Sequence, residues 1–320
     1  MTDAENNLSR KKPCSPIAQT SKTGFSPAIH TPVLLEEVIR LLVPVDGGIY
    51  IDGTLGLGGH AEKILQSCGP SGRVIGFEWD ASALQLAQKR LAPYGERFYA
   101  QHRNYSEIMT GLAEIGIHKV DGLLLDLGVS SLQFDSGERG FSFQANGPLD
   151  MRMDKRTHRD AEEIINDFSK EDLADIFYYY GEERQARRIA AHIVAERTRN
   201  RITTTSHLAR IVAAAVPKKF QPKKIHVATK VFQSLRIAVN KELDNLLALM
   251  DTITKILKPG GRVCIIAFHS LEDRLVKWKF KDNPELYVLT KKPVVPDKEE
   301  IKMNPRARSA KLRAAYMKGC

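Results

Sequence analysis

The sequence predicts an α/β fold, a mostly parallel sheet interrupted by an all-helical segment, and three observations carry that expectation. From Gly48 to Gly128 short β-rich apolar runs alternate with stretches of helical periodicity, the rhythm of successive βαβ units. From position 136 to about 228 no convincing strand occurs, while apolar residues keep a helical spacing. After position 228 the α/β rhythm returns and supplies what is needed to complete the sheet.

Strands are expected over 49–52, 73–78, 98–102 and 120–126, with helices between them over 61–66, 81–91 and 105–115. The near-continuous apolar run at 122–127 is what a parallel strand covered on both faces requires. Within the interruption, helices are expected over 161–167, 170–180, 183–199 and 206–216, the last ending before Pro217. Basic residues crowd the third of these: Arg184, Arg187, Arg188, Arg197 and Arg199, with Arg201 just beyond. A helical stretch over 231–257, a Pro259-Gly260-Gly261 turn and a strand over 262–268 follow. Two further β-rich pieces, 286–290 and 310–316, are expected to form an antiparallel edge. The resulting division is a disordered tail over 1–26, a discontinuous sheet domain over 27–135 and 229–320, and a helical insertion over 136–228.

Composition narrows the function classes. The chain has 320 residues, enough for about two domains, with 42% hydrophobic and 27% charged residues. No stretch approaches the roughly 18 apolar residues of a membrane span, which excludes a helical membrane protein. A net charge of +10 favours a polyanionic partner, because basic patches release counterions from phosphates. Cys14, Cys68, Cys264 and Cys320 are scattered, with no Cys-x-x-Cys pair for zinc or redox work, so a reduced cytoplasm is expected. The first 26 residues lack the apolar run of a secretory signal; organelle targeting is the alternative to a plain tail. No histidine and carboxylate spacing suggests a metal.

The first strand runs into Asp52-Gly53-Thr54-Leu55-Gly56-Leu57-Gly58-Gly59-His60 and then a helix. Glycines there let the backbone turn tightly and approach a ligand at the helix N-terminus. Glu78 follows at the end of the second strand, where a carboxylate can accept bonds from two ribose hydroxyls. Together these indicate an adenosine-containing cofactor. The third glycine of the dinucleotide fingerprint is missing, and Asp52 precedes the loop, where it could face a cationic methionine moiety; this favours S-adenosylmethionine over a nicotinamide dinucleotide.

The fourth strand ends at Asp126-Leu127-Gly128-Val129-Ser130-Ser131-Leu132-Gln133. Ligands of open α/β sheets sit beyond the carboxyl ends of strands, so Asp126 is expected to orient an acceptor amine for in-line attack, with Ser130 and Ser131 assisting. Arg139-Gly140-Phe141-Ser142-Phe143 and the stretch 147–154, which contains Arg152, combine aromatics with arginines. Such a set suits stacking on an extruded base and neutralising its phosphates, with Phe143, Arg139 and Arg152 in those roles. His269, at the end of the fifth strand, is placed to meet substrate, and Arg306 and Arg308 in a basic C-terminal run are placed to track an RNA backbone.

These motifs resemble the ribosomal RNA small subunit methyltransferase H family from His30-Thr31-Pro32-Val33-Leu34 to Arg313, adding Tyr180-Gly181-Glu182-Glu183 and Phe232-Gln233-Ser234-Leu235-Arg236-Ile237 to the segments above. The resemblance implies a class I S-adenosylmethionine-dependent methyltransferase fold, Rossmann-like, with a helical insertion. It also implies activity on the N4 amine of a cytidine in the decoding region of 16S ribosomal RNA, with the small ribosomal subunit as partner. Carried over by position, the cofactor contacts are Gly58, Gly59, His60, Glu78, Tyr105, Asp126 and Gln133. The chain departs from the family at Glu78, where Asp is usual, at Leu132 and Val227, where proline is usual, and in a short loop after Asn283. A nicotinamide-dependent oxidoreductase and a non-catalytic RNA-binding assembly factor are the rival readings.

Overall fold

The computed structural model describes residues 32–130, 133–134 and 136–319. The tail expected over 1–26 lies outside the described residues, as does Ser131.

Among the described residues seven strands form one sheet: β1 Ile49–Asp52, β2 Arg73–Phe77, β3 Phe98–Gln101, β4 Val120–Asp126, β5 Leu257–Ala267, β6 Leu286–Val288 and β7 Lys311–Met317. Their order is β3-β2-β1-β4-β5-β7-β6, parallel from β3 to β5, with β7 antiparallel to both β5 and β6. The expected parallel sheet and antiparallel edge are both present. Successive side chains of the central strands enter different cores. Leu123, Leu125, Val263 and Ile265 pack on one face, and Leu124, Cys264 and Ile266 on the other. Covering both faces is what made these strands read as unbroken apolar runs.

The helices follow the expected spans with informative differences. Ala81–Leu91 starts at Asp80, whose carboxylate accepts from the N–H groups of Ser82 and Ala83, and buries Ala83, Leu84, Ala87 and Leu91 on one face. The expected single helix over 231–257 is three: Thr229–Asn240, Glu242–Met250 and Ile253–Ile256. Lys241 takes a left-handed conformation at the first break, φ +49°. There the Asn240 side chain accepts from Met153 N–H (2.8 Å) and donates to Met151 C=O (2.8 Å), pinning the helix end to a distant loop. The Pro259-Gly260-Gly261 turn lies inside β5, not before it: Leu257 already pairs with Val120, and the turn bulges out before Arg262 pairs with Gly122.

Among the described residues of 136–228 the only β-pairing is an isolated bridge between Pro148 and Thr204. The helices there, Ala161–Asp167, Lys170–Asp175, Ala186–Arg197 and Thr205–Ala215, enclose a core of their own. Val231, Phe232, Leu235 and Val239 of Thr229–Asn240 belong to that core as well. The helical body therefore takes in an element that the sequence reading had assigned to the sheet domain. Among the described residues no helix is long and apolar enough to cross a membrane.

Candidate active site

Strand order reverses between β1 and β4, and at such a point the loops leaving two neighbouring strands part and open a crevice. Here the crevice is a cleft of about 1020 Å³, open to solvent, whose walls include the glycine loop after β1, Glu78 and Trp79 after β2, and Asp126 to Ser130 after β4. Gly58 has φ +79° and serves as the N-cap of the helix Gly59–Ser67, so the loop turns where an L side chain would be strained. This aims a helix N-terminus into the cleft.

Glu78 is buried, and each carboxylate oxygen already holds one main-chain N–H: Gly56 (2.7 Å) and Asp80 (2.9 Å). Each oxygen keeps a further lone pair, as a ribose diol requires. Burial pushes its pKa up to about 7. Asp52 lies beneath the cleft rather than on its wall, accepting from Thr54 N–H (3.2 Å), and burial raises it to about 7 as well. Gly59, His60 and Tyr105, expected as cofactor contacts, line the cleft. His60 Nε2 donates to Val33 C=O (3.0 Å), which turns Nδ1 towards Asp126 Oδ2, 3.8 Å away. The Tyr105 hydroxyl donates to Glu242 C=O (3.3 Å).

Asp126 lines the cleft at the end of β4. Its main-chain N–H donates to Thr54 Oγ1 (2.6 Å), which fixes the strand end against the glycine loop. Its Oδ1 is buried with no hydrogen-bond partner among the described residues, an acceptor held ready for a ligand. Burial first, and then the charges of Asp52 and Glu272, raise its pKa well above the carboxylate range.

A second cavity of about 850 Å³ adjoins the cleft and shares Val129 and Phe268 with it. Phe141, Phe143, Phe232 and His269 are among its walls. Phe143 does not stand clear: it packs against His226 (centroids 4.7 Å) and edge-on to Phe232 (5.0 Å). His269 caps the helix Ser270–Asp282, and Glu272 reaches back to the N–H groups of Phe268 (2.9 Å) and His269 (3.3 Å). Ser130 is on the cleft wall, where its hydroxyl accepts from Gln133 N–H (3.3 Å).

Two arginines expected at RNA are engaged by the protein's own groups. Arg139 is 11% exposed, pairs with Asp80 (2.7 Å) and donates to the carbonyls of Arg152 and Met153. Arg152 is held by Asp150 through two nitrogens (2.7 and 3.0 Å) and by Thr157 C=O. Gln133 lines the cleft but also donates to Asp80 (3.0 Å). Although burial alone would raise it, Gln133 and Arg139 hold the Asp80 carboxyl below its ordinary value. Arg306 reaches the cleft, its guanidinium over the Phe134 ring at 5.4 Å, while Arg308 is exposed on the same short turn and does not line the cleft.

The sequence reading missed Trp79, Arg90, Arg103 and Asn104 on the cleft wall. Trp79 had a local signal, since it directly follows Glu78 at the end of a strand that points into the cleft. It also missed the gathering of Glu242, His269 and Glu272, which come from separate elements and offer ligand atoms within 4.8 Å of one another. Arg236 meets much of that charge, gripping Glu242 through two nitrogens at 2.8 Å each.

A parallel sheet with one antiparallel strand inserted beside β5, a glycine loop at a helix N-terminus and a buried acid at the next strand end together define a class I S-adenosylmethionine-dependent methyltransferase. The chain belongs to the MraW methylase family, whose profile matches residues 27–318. It is 58% identical over 287 residues to the "Ribosomal RNA small subunit methyltransferase H" of Desulfotalea psychrophila, covering 90% of this chain and 97% of that one. It is 47% identical over 304 residues to the protein of the same description from Geotalea uraniireducens, covering 89% and 97%. The resemblance read from the motifs therefore holds over nearly the whole chain, and the oxidoreductase alternative is overturned by the family.

Proposed function

We propose that this enzyme methylates the N4 amine of a cytidine in the decoding region of 16S ribosomal RNA, acting in the cytoplasm on the small ribosomal subunit or its late precursor. The observation that carries the reading is the meeting of two cavities at Val129 and Phe268, beside an Asp126 oxygen that lacks a partner. A transfer between two bound molecules needs two adjoining chambers with a polar group at their junction. The descriptions of the curated relatives support small-subunit ribosomal RNA as the substrate.

The residues present fit the cofactor. Glu78 would take the ribose hydroxyls, the N-terminus of Gly59–Ser67 and the glycine loop would lie along the nucleoside, and Tyr105, His60 and Gln133 would close the walls. S-adenosylmethionine supplies an already activated methyl group, so the protein's task is placement. Phe143 and Phe268 would bound the pyrimidine face, with Ser130 and His269 at its edge. Asp126 would accept a hydrogen bond from the amine at its buried Oδ1 and take its proton; a carboxylate whose pKa is raised by desolvation and neighbouring charge is a stronger base than one in water. We propose residues 136–228, together with the turn carrying Arg306 and Arg308, as the part that holds RNA; Arg139 and Arg152 brace the loop instead.

The test is transfer of labelled methyl from S-adenosylmethionine to purified small subunits, with the modified nucleoside identified by mass spectrometry. N4-methylcytidine is expected, and no label on small-subunit RNA would defeat the proposal. Asp126→Asn should lower kcat by about 10²-fold or more. The wild-type rate should rise with pH through an acid limb lying above the ordinary carboxylate range, and that limb should vanish in the variant. An Asp126→Ala enzyme as active as its parent would remove Asp126 from the chemistry.

A further inference from the structure

After the helix Lys170–Asp175 the chain widens into a π-helical turn, Ile176–Tyr180, where the sequence reading expected continuous α-helix. The turn drives Phe177 fully into the helical core and leaves Tyr178 57% and Tyr179 63% exposed. The two rings meet edge to face, centroids 5.2 Å apart and planes at 83°. The turn is held from behind. A Cβ on Gly181 would sit 2.7 Å from Phe177 C=O and 2.8 Å from Lys230 C=O, and Lys230 Nζ donates to Glu182 C=O (2.8 Å). Such turns recur at functional sites because they cost regular hydrogen bonding.

Tyr178 and Tyr179 share a groove of about 920 Å³ with Arg184, Arg187 and Arg188. All three arginines are exposed, and none has a carboxylate partner among the described residues. Asp175 is the single carboxylate that lines the groove with them, against three like charges that repel one another. The residues just after the turn are tied to the helix that borders the second cavity. The Glu182 carboxylate accepts from Ser270 Oγ (2.8 Å) and Arg274 Nη2 (3.0 Å) at the head of the helix that follows β5, next to Phe268 and His269 of the second cavity.

We propose that this groove binds an unpaired stretch of RNA flanking the target nucleotide, its bases stacking on Tyr178 and Tyr179 and its phosphates pairing with Arg184, Arg187 and Arg188; the proposal rests on the RNA-substrate reading above. Every base offers a π-face to an exposed ring, whereas a duplex hides its bases in the stack. Guanidinium groups without internal partners are the complement to a phosphate chain.

The full-length protein with Tyr178→Ala and Tyr179→Ala should bind a short fluorescent single-stranded oligoribonucleotide of mixed sequence roughly 10- to 100-fold more weakly. Its KM for small subunits should rise with kcat unmoved, and Tyr178→Phe with Tyr179→Phe should restore both values because the rings remain. Arg187→Ala with Arg188→Ala should flatten the logarithmic salt dependence of oligonucleotide binding by about 1.4, two single-strand phosphate contacts. The groove is disproved if the alanine pair, melting like its parent, binds and turns over RNA unchanged. It is equally disproved if a fully paired hairpin loses as much affinity, or if poly-glutamate binds as tightly as the oligonucleotide. Wild-type protein that labels no small-subunit RNA would sink the substrate reading, and the oligonucleotide result would still judge the groove.

Discussion

Glu78 is asked to be both a buried acid and an anion. Burial raises it to about 7, while hydrogen bonds from Gly56, Asp80 and the expected ribose hydroxyls all favour the ionised form. Below that value the carboxyl is protonated and accepts poorly; above it the carboxylate is ready. Cofactor affinity measured by calorimetry should therefore tighten by about tenfold from pH 6 to pH 8, a change that Glu78→Gln should abolish along with most of the binding. An affinity indifferent to pH in the parent would mean that Glu78 does not meet the ribose. At this scale the sequence showed the placement of residues in contiguous motifs at strand ends: Gly58 in the loop after β1, Glu78 just after β2 and Asp126 at the end of β4. It did not show where long cations point. Arg139 is drawn inward by Asp80, far away along the chain, and nothing local announces that pairing. For Arg152 the partner Asp150 is two residues away, and the pairing was open to being read.

Between elements, the largely buried pair Arg236 and Glu242 spans the break at Lys241 and stands close to Glu272. Although burial alone would raise Glu272, His269 and Arg236 hold its pKa down, so one guanidinium serves two carboxylates. Arg236→Met should cost about 3–5 kcal/mol in denaturant unfolding, because it strands a buried carboxylate, while Arg236→Met with Glu242→Leu should recover most of the loss. Equal losses in both variants would show that the pair carries little of the stability. All seven strands were legible, since their apolar runs are bounded by turn residues. The break at Asn240 was not, because no Gly or Pro marks it and its cause is a loop around Met151 and Met153. The helix Leu35–Leu42 escaped for a related reason: no side chain caps its start, and Leu34 N–H is met by Glu300 from the far end of the chain (2.7 Å).

On the scale of the whole molecule, the helical body divides the sheet in sequence but not in space: Leu125 lies beside Ile265, and Asp126 beside Ile266. A chain emerging from its own ribosome completes β1 to β4 long before it has β5. Throughout that interval β4 presents a raw ladder of N–H and C=O groups, along with Leu123, Leu124 and Leu125, which β5 and its helices later cover. The helical body, with a core of its own, has time to form while the half-sheet waits. A chain truncated after Ile256 should sediment as aggregate while the full chain stays in solution, and adding a peptide of residues 257–319 during synthesis should rescue part of it. A freely soluble, monomeric truncation would mean that the waiting edge is shielded by something else. Birth order should thus leave the nascent half-sheet dependent on protection from aggregation, and makes the last fifth of the chain the step that commits it to the native state.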